Sequence, residues 1–186
     1  MEIEQIIIKY YPEGSKAHYY YKTHVEAVAN LADKIIDNNP TVTVDRALVR
    51  RMALLHDIGI CKTDAPDIGC FGDAPYLAHG YLGRDILERE GLYDIAPICE
   101  RHTGTGITLQ EIIDHRLPLP HRDMVPLTDE EVIVCFADKF FSKSAEDLTV
   151  PKPLAKIEKG LLRYGALKVL IFKEWCARFG TSYIYE

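Results

Sequence analysis

The sequence has no apolar run approaching the roughly 18 residues of a membrane span, so no membrane-crossing helix and no membrane partner are expected. It also lacks a base-rich start. It opens MEIEQIII, with acid where a secretory signal carries lysine or arginine. Paired cysteines are missing: Cys61, Cys70, Cys99, Cys135 and Cys176 are odd in number and contain no CxxC spacing. Cys99, Cys135 and Cys176 fall in helical patterns, where free cysteine behaves as a small buried hydrophobe. A disulfide framework is thereby disfavoured, and a reducing, cytoplasmic location is expected. An excess of base is absent too. A net charge of −6 gives no basic stripe to neutralise a phosphate backbone, which argues against a nucleic-acid polymer as partner. A small phosphorylated substrate stays open, because a metal cation in a cleft supplies positive charge locally. No internal repeat, no low-complexity segment and no stretch of apolar–polar alternation suited to a strand is found.

What is present is helical periodicity over a length of 186 residues, enough for one domain (1–186) with a buried core. Residues 15–37 read as a helix with Ser15 as N-cap and Tyr21, His24, Val28, Leu31 and Ile35 on one stripe. A second helix runs over 45–57, with Gly59 read as a left-handed residue beyond its C-terminus. The Pro- and Gly-marked segment 61–75 reads as a loop. Further helices are expected over 76–90, 93–102 and 108–116. After the proline-marked loop LPLPHRDMVP, Thr128 and Glu131 form a capping-box pattern for a helix to about Ser142, and 154–179 is helical with Gly160 and Gly165 as weak points. The ambiguous EIEQIIIKYY favours helix. The fold class is all-α.

Seven histidines punctuate this pattern. His24, His79 and His102 occupy apolar stripes, and His56 precedes Asp57 at a helix end. One histidine on such a stripe is ordinarily a hydrogen-bonded core residue. Several on different helices are harder to bury, since unpaired imidazoles and carboxylates cost several kcal/mol unless something compensates them. A shared cation would. Asp138 lies among Phe136, Phe140 and Phe141, where an acid needs a positive partner. Neighbouring helical residues point apart, making Lys139 a poor one. His18 and His115 have no evident partner and read as surface residues.

His24, the run LLHDIG at 54–59 and Asp138 together resemble the HD superfamily of metal-dependent phosphohydrolases, and the added His79 and His102 resemble its two-metal subset. AHGYLG (78–83), ERHTGTG (100–106) and ADK (137–139) are similar to bacterial symmetrical diadenosine tetraphosphate hydrolases and to a group of small HDIG proteins, of which PLPHRDMVP (118–126) is also typical. The absence of a GYP motif counts against the cyclic-dinucleotide branch. The likeness covers about residues 20–143 and leaves 144–186 as a C-terminal helical extension. It implies a compact HD-domain helical bundle. It implies that His24, His56, Asp57 and Asp138 hold one metal and that His79 and His102 hold a second, with Asp57 bridging and, beside His56, positioning the attacking water.

Imidazole and carboxylate ligands suit two divalent transition ions, with Fe ranked first and Mn, Zn, Ni or Co as alternatives. Such a pair would activate water against a phosphoester or phosphoanhydride of a nucleotide or other small phosphorylated substrate. Lys62, Arg101, His121, Arg122 and Lys139 are candidate substrate contacts, His121 and Arg122 because irregular loops on helical scaffolds often carry specificity. The glycines of Thr103–Gly106 would let backbone approach a phosphate, as a plain helix cap would also explain. A homodimer is compatible with these features. Two other readings remain, a di-iron oxygenase and a ligand-sensing module with a non-catalytic metal site.

Overall fold

In the computed structural model, which describes residues 3–144 and 147–186, the chain is overwhelmingly helical. The α-helices are α1 (Ile3–Tyr10), α2 (Lys16–Asn38), α3 (Arg46–Leu55), α4 (His79–Arg89), α5 (Ala96–Arg101), α6 (Leu109–Asp114), α7 (Asp129–Lys139), α8 (Leu154–Leu162) and α9 (Ala166–Phe179). The all-α expectation holds with one local correction. Inside 61–75 lie two two-residue strands, β1 (Asp64–Ala65) and β2 (Cys70–Phe71), paired antiparallel through Asp64 with Phe71 and Ala65 with Cys70. A strand that short carries no alternation to read.

Helix α2 is the longest. The Ser15 hydroxyl accepts the His18 amide at 3.0 Å, satisfying one of the amides a helix start leaves free. At its other end Asn39 donates to the carbonyls of Ile35 and Phe179 at 2.8 and 2.9 Å. Its buried face, Tyr21, His24, Val25, Val28, Leu31, Ala32 and Ile35, packs against α3 and α7. Each aliphatic side chain so buried contributes about 1.5–3 kcal/mol. Helix α7 is deeply enclosed, with Ile133 to Asp138 all buried. The Phe136 ring meets Phe140, Phe172 and Phe179 at 5.2, 5.7 and 5.5 Å between centroids, so the C-terminal helices close the same core rather than trail from it.

Several boundaries shift for local reasons. The 154–179 pattern splits at Gly165, whose φ of 120° a residue with a side chain rarely adopts. At Thr128 only half the capping box forms. The hydroxyl accepts the Glu131 amide at 3.3 Å, but the Glu131 carboxylate accepts from the Leu127 amide and from Arg101, both at 2.6 Å. The complete box is at Thr108 and Glu111. The helix expected over 45–57 stops at Leu55, and a 3-10 turn (Ile58–Lys62) follows. Gly59 sits inside that turn and is not left-handed. Its reason is space: a Cβ there would lie 2.1 Å from the His79 carbonyl oxygen and 2.4 Å from the Gly83 nitrogen. Glycine at 59 and 83 thus lets α4 close onto the turn that carries Asp57.

Candidate metal centre

Five segments bring six side chains to one place. His24 comes from the middle of α2, His56 and Asp57 from the turn after α3, His79 from the first residue of α4, His102 from the residue after α5, and Asp138 from the end of α7. Candidate ligand atoms of His24, His56, Asp57 and Asp138 all lie within 4.8 Å of one another, and so do those of Asp57, His79 and His102. Asp57 belongs to both groups. Its Oδ2 stands 3.1 Å from the Nε2 atoms of both His24 and His56. Its Oδ1 stands 3.5 and 3.3 Å from those of His79 and His102. The Asp57 side chain is fully buried.

The backbone orients the imidazoles. His56 Nδ1 donates to the Ala53 carbonyl at 2.7 Å, His79 Nδ1 to that of Tyr76 at 2.7 Å, and His102 Nδ1 to that of Ile98 at 3.2 Å. A carbonyl only accepts, so each Nδ1 carries a proton and each Nε2 is the ring atom turned to the cluster, presenting a lone pair on the neutral His79 and His102. His79 and His102 then oppose their Nε2 atoms at 3.2 Å, two lone pairs meeting where water is excluded. Neither Asp57 oxygen nor His56 Nε2 has a hydrogen-bond partner of acceptable geometry. Two facing imidazole lone pairs and one buried carboxylate shared among four imidazoles are what a cation would satisfy, and the residues fit a divalent metal on that ground.

The electrostatics agree. Burial keeps His79 and His102 in the neutral form a metal requires, lowering the pKa of His79 to about 4. Burial also opposes charge on His56, but Asp57 and Asp138 outweigh it and raise its pKa to about 9. Asp57 and Asp138 are buried, which favours protonation, yet Lys143 and His56 for the first and Lys139 and His24 for the second hold both far below the ordinary carboxylate value.

Two lysines complete the cluster, and one corrects the sequence reading. Lys139 Nζ lies 2.9 Å from Asp138 Oδ2 and donates to the His102 carbonyl at 3.3 Å. A four-carbon stem bends back over one residue where a short side chain could not. Lys143 was not singled out by any sequence feature. Its ammonium contacts Asp57 Oδ2 and stands 3.2 Å from His24 Nε2. The other expected contacts lie differently. Arg101 pairs with Glu131 at 2.6 Å, and Arg122 grips Glu100 in a fork with its closest approach at 2.7 Å, so both guanidinium groups are already engaged. Lys62 lines a separate cleft with Asp73 and Asp85, and His121 is exposed. His115 is exposed as expected, whereas His18 is partly covered and its Nε2 is buried without a partner. Behind Asp57, the Tyr11 hydroxyl donates to the Ile58 carbonyl at 3.1 Å and accepts the Cys61 amide at 2.9 Å, pinning the turn.

Residues 21–142 match the model of the HD domain. The chain belongs to the HD domain family. Among curated relatives, it is 35% identical over 173 residues to a tRNA (cytidine(56)-2'-O)-methyltransferase of Picrophilus torridus, a match covering 88% of this chain and 46% of that protein. It is 39% identical over 126 residues to an uncharacterised protein of Methanocaldococcus jannaschii, covering 66% of this chain and 65% of the relative. The chain thus spans about half the length of that methyltransferase. Among solved structures it is similar to the HD domain of the L. monocytogenes phosphodiesterase PgpH, with a TM-score of 0.53, 19% identity and coverage of 92% and 93% of the two chains. The same domain in complex with cyclic-di-AMP gives a TM-score of 0.51 at 18% identity, over 96% and 97%. At such identities these likenesses carry the fold. No helix among the described residues is long and apolar enough to cross a membrane.

Proposed function

We propose that this HD domain is a metal-dependent phosphohydrolase acting on a nucleotide or other small phosphorylated substrate. The observation that carries the reading is Asp57, a buried carboxylate common to two adjacent groups of potential metal ligands. In this reading His24, His56, Asp57 and Asp138 hold one divalent ion, and Asp57, His79 and His102 hold another. When bound there, the metal supplies a Lewis acid for phosphoryl oxygen and acidifies water. The nitrogen and oxygen donors favour Fe, Mn, Zn, Ni or Co over Mg or Ca. This chain's own residues do the remainder. The Ala53, Tyr76 and Ile98 carbonyls orient the imidazoles, and Lys139 and Lys143 bring positive charge to the Asp138 and Asp57 carboxylates.

The complex of the PgpH domain with cyclic-di-AMP supports a nucleotide ligand by analogy of fold. The name of the Picrophilus relative favours a second reading, participation in tRNA methylation, although the match leaves more than half of that enzyme aside. The test is metal analysis of protein purified without chelator, followed by parallel assays of phosphate release, oxygen consumption and methyl transfer to tRNA. Phosphate release from nucleotides that chelator abolishes and added metal restores is expected. Oxygen uptake or tRNA methylation with no phosphate release would reject the hydrolase.

A further inference from the structure

The six candidate ligands do not all rest on one support. His24, His56 and Asp138 have chain neighbours in the main core, Val25, Leu55 and Ala137 respectively. His79 and His102 stand at a seam. Ile98 and Cys99 before His102, and Ile86 beyond His79, belong to that same core. Beyond the seam lies a small, separate apolar cluster of buried Ile112, Leu119 and Met124. Leu77 and Tyr81, two residues either side of His79, pack against it, and so does Ile107, five residues past His102. Leu119 and Met124 come from the proline-marked loop between α6 and α7, and three successive residues tie that loop to the chain around His102. Arg122 forks onto Glu100, two residues before His102, with its closest approach at 2.7 Å. The Glu100 side chain is 1% exposed and is also held from α4 by Arg84. Asp123 accepts the Leu109 amide at 2.7 Å. Met124 and Ile107 exchange both backbone hydrogen bonds at 2.8 Å. His102 is thus bracketed through Glu100 on one side and through Ile107 and Leu109 on the other.

We propose that the 117–124 segment is a strap that preorganises the second metal position, with Arg122 as its positioning residue; the inference rests on the two-ion reading and is independent of which bond is cleaved. The Nε2 atoms of His79 and His102 oppose each other at 3.2 Å, and facing lone pairs repel, so the rings are held at that separation by what surrounds them. The satellite cluster braces the chain on both sides of His79, and the loop's polar contacts do so for His102. Arg122 touches neither ring and acts through Glu100. Its planar guanidinium grips a buried carboxylate with two prongs, a geometry that lysine does not reproduce. Glu100 in turn fixes the last turn of α5, which ends at His102. Residues that support metal ligands from behind typically matter about 10–100-fold in metal affinity. Arg122 is 44% exposed and Arg84 remains on Glu100 without it, so the lower end applies. The first position keeps its main-core support and should not respond.

The experiment is stepwise titration of metal-free protein with cobalt(II), followed by calorimetry and visible absorption. It compares the wild type with Arg122→Ala, Arg122→Lys and, as a one-ion reference, His102→Ala. Two binding steps are expected in the wild type. Arg122→Ala should weaken the second about tenfold and leave the first within about twofold, a split that a general loss of stability would not produce. Its spectrum after the first step should match that of His102→Ala. Arg122→Lys keeps the charge without the fork, so its second step should fall between those of the wild type and Arg122→Ala. Melting of the metal-free proteins reports folding, and the lysine variant keeps the test decisive if the alanine variant is unfolded. Equal weakening of both steps, or an unchanged second step in a folded variant, overturns the strap. A wild type that binds one ion, with His102→Ala binding it equally, rejects the two-ion reading itself.

Discussion

Replacing Lys143 with methionine removes an ammonium from the place a metal would occupy while keeping the aliphatic stem. In the wild type this ammonium contacts Asp57 Oδ2 and lies 3.2 Å from His24 Nε2. Burial works against its charge, but Asp57 and Asp138 hold its pKa above the ordinary lysine value. An ion that takes Asp57 and His24 as ligands must expel it. Breaking a buried ion pair by deleting one partner costs about 3–5 kcal/mol, and the side chain retains 14% exposure, so the lower end applies. In a domain this size each kcal/mol moves the melting temperature by about 2–4 °C. The metal-free variant should therefore melt about 6–12 °C below the metal-free wild type. Metal affinity should move the other way. The wild type gives up the lysine–aspartate contact when it binds metal, and the variant has none to lose. Full loss of about 3 kcal/mol would tighten Kd about hundredfold, and rehydration of the freed ammonium in the wild type reduces the expected gain to about tenfold. Chelator-competition titrations and paired melts measure both quantities. Unchanged metal-free melting together with unchanged or weaker metal binding would refute the displacement.

Asp57→Ala should empty both metal positions, whereas His79→Ala or His102→Ala should reduce stoichiometry by about half, because only Asp57 belongs to both groups; equal metal retention in all three variants contradicts this. Gly59→Ala drives a Cβ into the His79 carbonyl and the Gly83 amide, an overpacking of about 3 kcal/mol or more, seen as a melting temperature lower by at least about 6 °C. Glu111 is partly buried, which raises its pKa, but its hydrogen bonds from Lys168 and the Thr108 amide lower it below the ordinary 4.5. A depressed carboxylate contributes stability above its unfolded pKa and loses it as pH falls through the folded value. Glu111→Gln should thus melt below wild type at neutral pH, with the gap closing under acid; a gap constant over that range argues against the Lys168 pairing as its source.

His24, His79, His102 and Asp138 were legible because burying histidine or acid among apolar residues is costly enough to leave a pattern in the sequence, whereas His56 and Asp57 stood out at a helix end and through the LLHDIG run. His24 shares its stripe with Val28 and Leu31, and that stripe does face the core. The turn chemistry was less legible. Gly59 followed a helix end as a left-handed cap would, but its actual constraint is the backbone of α4 at His79 and Gly83, 20 and 24 residues ahead, which no local pattern contains. Glu131 has the spacing of a capping box, yet tertiary pairing with Arg101 and the Leu127 amide redirects its carboxylate. Arg122 illustrates the same limit. A basic residue in an irregular loop looks free in sequence, and its partner Glu100 is fixed only when α5 packs beside that loop. Lys143 was invisible because a lysine after an apolar helix ordinarily points to water, and only the fold turns this one inward.

Charge then distinguishes the two metal positions of the proposed centre. At the first, positive charge is already present, as the Lys143 ammonium and as the proton that Asp57 and Asp138 hold on His56. A dication that takes these ligands exchanges with that charge and changes the local balance little. At the second, burial keeps His79 and His102 neutral, so an ion there adds its whole charge. The displaced Lys143 remains tethered to the adjoining cleft it lines with Tyr76 and Ser142. In a chain of net charge −6, attraction for an anionic phosphate therefore depends on the second ion and on the released lysine. Filling the first position alone would organise the site without making it attractive to substrate, and phosphate affinity should rise with occupancy of the position that His79 and His102 define.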